Sequence, residues 1–195
     1  MKKTFFYLFS VLCFMAVMFT SCEKVEEDNS LIEDYFRLLL GDLSYSMEPK
    51  DKGDFDVEFT GCQVVNFGDL FGTESDYLEL MLINTDDFWC ADFGLFIPLA
   101  SGEDIYGTYT VKRGKYDNWV VMPSLGSNEE GDSTPSYVGT GTTEDGNMAE
   151  AYYVESGKVT ITEDGVAFDI KTLYGSRIKG EYKGDIYIDY GGIYY

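Results

Sequence analysis

The chain has 195 residues, 35 Asp and Glu against 14 Lys and Arg, a formal net charge of −21 and no histidine. That balance argues against nucleic acid, whose phosphates require Lys and Arg clusters, and against docking on anionic headgroups. Hydrophobic residues at 45% and aromatics at 16% are enough to bury a core, so the composition is not that of a disordered chain.

The chain opens with Lys2 and Lys3, then "FFYLFSVLCFMAVMF", residues 5–19, in which only Ser10 is polar. A basic start, a short apolar run and small residues after it are the plan of a secretory signal peptide. The run is shorter than the roughly 20 residues a spanning helix needs. Residues 1–21 are therefore expected to be removed, which takes the formal charge to −23 because Lys2 and Lys3 leave with them. "FTSC", residues 19–22, resembles the lipobox of bacterial lipoproteins, with Phe19 where that family prefers Leu. The resemblance implies acylation at Cys22 and stable anchoring, since one acyl chain holds only marginally and the family carries two or three. "CEKVEEDN" resembles the export signal of Bacteroidota-type surface lipoproteins, a Lys followed by acids, here interrupted by Val25. It implies an outer-membrane protein facing the cell exterior, with a periplasm-facing anchor as the alternative. Residues 22–30 read as an acidic tether and residues 31–195 as a single β domain.

Beyond the tether, residues 30–37 allow one helical turn and little more. In "YFRLLLGDLSY" Phe36, Leu38 and Leu40 fall on one side at period two. "DFDVEF" places Phe55, Val57 and Phe59 inward against Asp54, Asp56 and Glu58. "DYLELMLIN" alternates Leu78, Leu80 and Leu82 against Tyr77, Glu79 and Met81. Such alternation predicts half-buried strands of an antiparallel sheet. The middle of the chain gives an apolar strand ending at Pro98, a strand over 106–111 and the short "NWVVMPS". Residues 125–136, "LGSNEEGDSTPS", have no apolar period and predict an exposed loop. The last third reads as a meander whose separators are "ESG", "EDG" and "YGS". Asp164-Gly165 is a hairpin signal, and Asp145-Gly146 repeats it. Strands of this number and length predict an all-β fold, an antiparallel β-sandwich, with a closed lipocalin-like β-barrel as the alternative. "IPLASGEDIYGTYTV", "SYVGTG" and "IKGEYKGDIYI" resemble motifs of small β-rich Bacteroidota-type surface lipoproteins. That resemblance implies location and fold more than activity.

The absence of histidine removes Ser-His-Asp and Cys-His nucleophilic machinery in their usual forms, and ordinary zinc sites with them. No Gly-rich phosphate loop opens a helix. A carboxylate pair for glycoside hydrolysis is the catalytic plan left, and 35 acids give it no distinctive spacing. No cofactor motif is present, and calcium is the ion that suits the acids: Asp86, Asp87 and Asp92 cluster in "NTDDFWCAD", and Glu129, Glu130 and Asp132 in "SNEEGD", but neither has the spacing of an EF-hand loop, and ordinary acidic loops stand as the other reading. Trp89 and Trp119 each stand beside Asp or Asn, a combination that suits a sugar face and its hydroxyls, and equally suits packing. Tyr187, Tyr190, Tyr194 and Tyr195 form either an exposed patch or cross-strand pairs of a last strand. Cys62 and Cys90 remain in a compartment that permits disulfides, so a bridge and two buried thiols both stand open. Four roles follow: a non-enzymatic surface protein binding an extracellular ligand such as glycan or a partner protein, a subunit of a surface assembly, a carboxylate-pair hydrolase, or a barrel around a small apolar ligand.

Overall fold

The computed structural model describes residues 30–98, 104–114, 116, 118–142 and 148–190. The signal peptide, Cys22, residues 22–29 of the tether, the Asp145-Gly146 turn, Tyr194 and Tyr195 lie outside them. Among the described residues one helix, α1 (Ser30–Leu40), precedes eleven strands: β1 (Asp54–Phe59), β2 (Gly61–Asn66), β3 (Ser75–Asn84), β4 (Trp89–Pro98), β5 (Gly107–Val111), β6 (Val120–Val121), β7 (Tyr137–Thr142), β8 (Met148–Thr162), β9 (Gly165–Thr172), β10 (Arg177–Lys183) and β11 (Tyr187–Tyr190). The fold is all-β, and every strand belongs to one sheet. Its order is β1-β10-β9-β8-β5-β6-β4-β3-β2-β11, with β7 bridging β4 and β8. The pairings β4–β7–β8–β5–β6–β4 close a ring of five strands, and the two wings, β9-β10-β1 and β3-β2-β11, extend from it.

The arrangement has features of both predicted architectures. The wings line one shared core, as in a sandwich, while the ring closes as in a barrel. Most neighbours are antiparallel, but β1–β10, β2–β11 and β5–β6 are parallel. The first two share a cause. β1 runs into β2 through Thr60 alone, passing from one wing to the other, and β10 into β11 follows the same path beside it. Strands that switch layers at a bend are how stacked sheets make corners.

Alternation sorts side chains onto two faces. Val57, Phe59, Leu78, Leu80, Leu82, Phe93, Val159 and Phe168 enter the main core, while Asp54, Asp56 and Glu58 face water as expected. The opposite face of β3, β4 and β6 is also covered. Tyr77, Phe96, Val120 and Met122 meet Ile32 and Phe36 of α1 in a second, aromatic-rich cluster. Ring pairs such as Tyr77–Phe96 and Tyr35–Phe71, both with centroids 5.3 Å apart, hold it.

α1 corrects the strand reading of "YFRLLLGDL". Ile32, Tyr35 and Phe36 share the inward face at helical spacing, whereas Leu38 is 70% exposed. Three successive leucines fit either period, so they conceal which one applies. Glu33 in the first turn and Arg37 in the last suit the helix dipole. Gly41, at φ +81°, ends the helix by donating to the Arg37 carbonyl at 2.8 Å.

Two further expectations are corrected. "ESG" is not a turn but a bulge inside β8: Val154 pairs with Thr172 and Ser156 with Lys171, leaving Glu155 unmatched. Only the tip of residues 125–136 is exposed. Ser127, Thr134, Pro135 and Ser136 are buried, and the Ser127 and Tyr153 hydroxyls lie 2.6 Å apart. Polar residues here satisfy backbone groups in the interior rather than facing solvent. "EDG" does turn the chain, between Thr162 and Gly165, with Gly165 at φ +143°.

Candidate functional site

The two tryptophans are half-buried and pack against the main core at different places. Trp89 opens β4 and stacks on Tyr152, with ring centroids 5.9 Å apart, and tilts against Phe55 at 5.8 Å. Trp119 meets Tyr109 edge to face at 5.2 Å. Val120, next to it, pairs with Phe96, seven residues along β4 from Trp89. At 3.3 Å per residue this is about 23 Å, so no single sugar ring lies between the two indoles.

The acids Asp86, Asp87 and Asp92 do not converge. Asp86 and Asp87 sit in the exposed β3–β4 turn, where their amides donate to Asn84 Oδ1 at 2.9 and 3.1 Å. Asp92 stands inside β4 on the face opposite the main core, paired with Met81 and Tyr137. Among the described residues no group of three or more Cys, Asp or Glu is placed to hold a metal ion.

Cys62 and Cys90 are unpaired. Cys62 is on β2, opposite Leu82 and against the main core, whereas Cys90 is on β4, opposite Ile83 of the other face. With β3 between them, two strand spacings separate the backbones by about 9.6 Å, beyond the reach of a disulfide. Burial pushes the Cys62 thiol up to about 12 and raises that of Cys90 as well.

Two features were not read from the sequence. The first is a pair of carboxyl groups on the outer face of β3 and β4. Glu79 pairs with Gly94 and Asp92 with Met81, which makes the acids diagonal neighbours. The Tyr77 hydroxyl donates to Glu79 Oε1 at 3.0 Å. Asp92 Oδ1 is shut off from solvent and accepts no hydrogen bond. Burial raises both carboxyls, Asp92 far above the usual range with the Glu79 charge adding to it. Alternation had put Glu79 on a water-facing side. The signal against that was the unbroken apolar run "FGLFIP" in β4, which fits a strand covered on both faces.

The second is a cleft of 690 Å³ between the end of α1 and residues 128–132, lined by Leu39, Leu40, Asp42, Asn128, Glu129, Glu130 and Asp132. Asn128 fixes its far wall: its amide nitrogen donates to the Leu40 carbonyl at 3.2 Å and to Asp132 Oδ2 at 3.1 Å. The C-terminal end of α1, itself the negative pole of the helix, points to this place. Two leucines supply its apolar lining, four carboxylates its charge, and no basic residue lines it. Neither Glu79 nor Asp92 belongs to that lining.

No family model matches the chain, and neither the curated proteins nor the solved structures gave a match.

Proposed function

We propose that the chain is a lipid-anchored, non-catalytic protein of the outer membrane, facing the cell exterior, that binds a partner protein through the cleft at the end of α1. The cleft is the observation that carries this reading. Its leucines offer apolar area, and its four carboxylates select a partner with Lys or Arg beside apolar side chains. A glycan is the weaker fit to the cleft, because no aromatic ring lines it and both tryptophans stack elsewhere, on Tyr152 and Tyr109. The anchor at Cys22 supports the reading by holding the domain at a surface where partners are fixed in place.

The test is photo-crosslinking on intact cells from a reactive side chain introduced at Leu39. A partner adduct that disappears in Glu129→Gln/Glu130→Gln/Asp132→Asn supports the proposal. Absence of any adduct, together with a specific hit on a glycan array, turns the reading to carbohydrate. Protease shaving of intact cells checks the orientation, and a protein that resists digestion does not face outward.

A second reading rests on β11. This strand pairs with β2 on one side, and Tyr187 is 66% exposed upon it. A subunit of a surface assembly would use such an edge for strand addition.

A further inference from the structure

The Glu79–Asp92 pair is a cluster of acids with no cation to balance it among the described residues. Facing it are Tyr35 from α1, Tyr77 from β3, Cys90 from β4 and Tyr137 from β7, every one an acid or neutral. Among the described residues neither carboxyl is ion-paired to Lys or Arg. Two negative charges at diagonal positions of a covered face lose hydration and, uncompensated, repel each other, so one proton on the pair is the lower-energy state.

Two segments adjoin the pair. α1 brings Tyr35 to the Glu79 side. Residues 136–137 run beside Asp92 in the sheet, where the Ser136 amide donates to the Asp92 backbone carbonyl at 2.6 Å and the Ser136 hydroxyl accepts from the Gly94 amide at 3.2 Å, and Pro135 stands over the outer face at Gly94, where an added Cβ would lie 3.1 Å from it. Ser136 is held at φ +74°, a conformation costly for a residue with a side chain.

We propose that Glu79 and Asp92 share one proton at neutral pH and that losing it in alkali unseats α1 and residues 135–137, making the pair a proton switch for the cover of the sheet's outer face. The sequence isolates this titration. With no histidine, and with the Cys62 and Cys90 thiols both raised, few other side chains change charge between about pH 6 and about pH 9. The sign is that of acids held neutral in the fold. An unfolded chain gives up its carboxyl protons near pH 4, so stability declines as pH rises above that value until the folded pair has ionised.

The experiment takes the full chain through that pH range by infrared spectroscopy and by amide hydrogen exchange corrected for intrinsic rates. The expected result is a protonated-carboxyl C=O band at neutral pH that titrates away in alkali. Protection of α1 and residues 135–137 falls about tenfold or more over the same range, while β9 and β10 hold. Asp92→Asn and Glu79→Gln each remove one charge of the pair, so the carboxyl that remains gives up its proton at lower pH: in each variant the band titrates away earlier and the loss of protection in alkali flattens. Absence of the band from the wild-type chain at neutral pH overturns the proposal, as does a band that titrates unchanged, or an undiminished pH-dependent loss of protection, in both variants. Should Asp92→Asn not fold, Glu79→Gln, whose amide oxygen still accepts from Tyr77, and the wild-type titration decide the question.

Discussion

Trp119 lies across Gly107, so closely that a Cβ on residue 107 would stand 2.4 Å from ring atom Cζ3. The glycine is therefore the floor on which the indole rests. Gly107→Ala is expected to destabilise by about 1–3 kcal/mol, the usual cost of overpacking. Urea unfolding measures it. Adding Trp119→Ala removes the clash, so the double variant should lose less than the sum of the two single changes.

Trp89 makes a matching case elsewhere on the core. Wedged between Phe55 and Tyr152, it contributes area and ring contacts. Trp89→Ala should cost about 2–4 kcal/mol, toward the lower part of the range for a large aromatic because the site is half-buried. Trp89→Phe should cost less than half of that. A variant that keeps its midpoint while losing affinity for a glycan would contradict the packing role.

Asn84 governs the β3–β4 turn. It is buried, its side-chain nitrogen donates to the Glu58 carbonyl at 2.7 Å, and its oxygen accepts from the Asp86 and Asp87 amides. Asn84→Ala leaves these partners unsatisfied and should cost about 2–3 kcal/mol, near 1 kcal/mol for each hydrogen bond. Asp86→Ala and Asp87→Ala, which keep those bonds, should lie within about 0.5 kcal/mol of the parent. Calorimetric unfolding with and without calcium compares all three. A calcium-dependent rise in Tm lost in Asp86→Ala would restore the turn as a cation site.

The cysteines give a chemical check. Cys62 and Cys90 should stay reduced under aerobic conditions, and native labelling with iodoacetamide at neutral pH should be slow at both, because burial keeps the thiolate scarce. Peptide mapping after labelling reads each site, and labelling in denaturant should be complete. A Cys62–Cys90 crosslinked peptide would contradict the placement of these residues on opposite faces of the sheet.

The sheet was legible in the sequence where only one of its faces meets water. β1 alternates cleanly, and its inward and outward residues are where period two put them. Legibility failed where a second layer covers the outer face. β4 is apolar on both sides because α1 and the aromatic cluster lie over it, so alternation could not tell which of its residues meet water. Asp92 and Glu79 were lost for that reason. Nothing about an isolated acid in a strand says that another strand will set a second acid diagonally beside it. The "ESG" segment misled because Gly157 occurs in bulges as readily as in turns, and only the length of β8 and its partners on both sides separates the two. The cleft was half visible: residues 129–132 read as an acidic cluster, but their opposite wall comes from α1, some ninety residues earlier in the chain, and had been read as a strand.

The parallel pairs at the sheet's corner govern the order in which the chain can fold. β1 waits for β10, with Asp54 paired to Arg177, and β2 waits for β11. Until the last strands have been synthesised, the first two strands lack these neighbours, and closing so long a loop is slow. The same wiring makes the final turns of synthesis decisive: a product stopped after β9 leaves β1 without β10 and β2 without β11, so both of its first strands lack a neighbour that the full chain supplies.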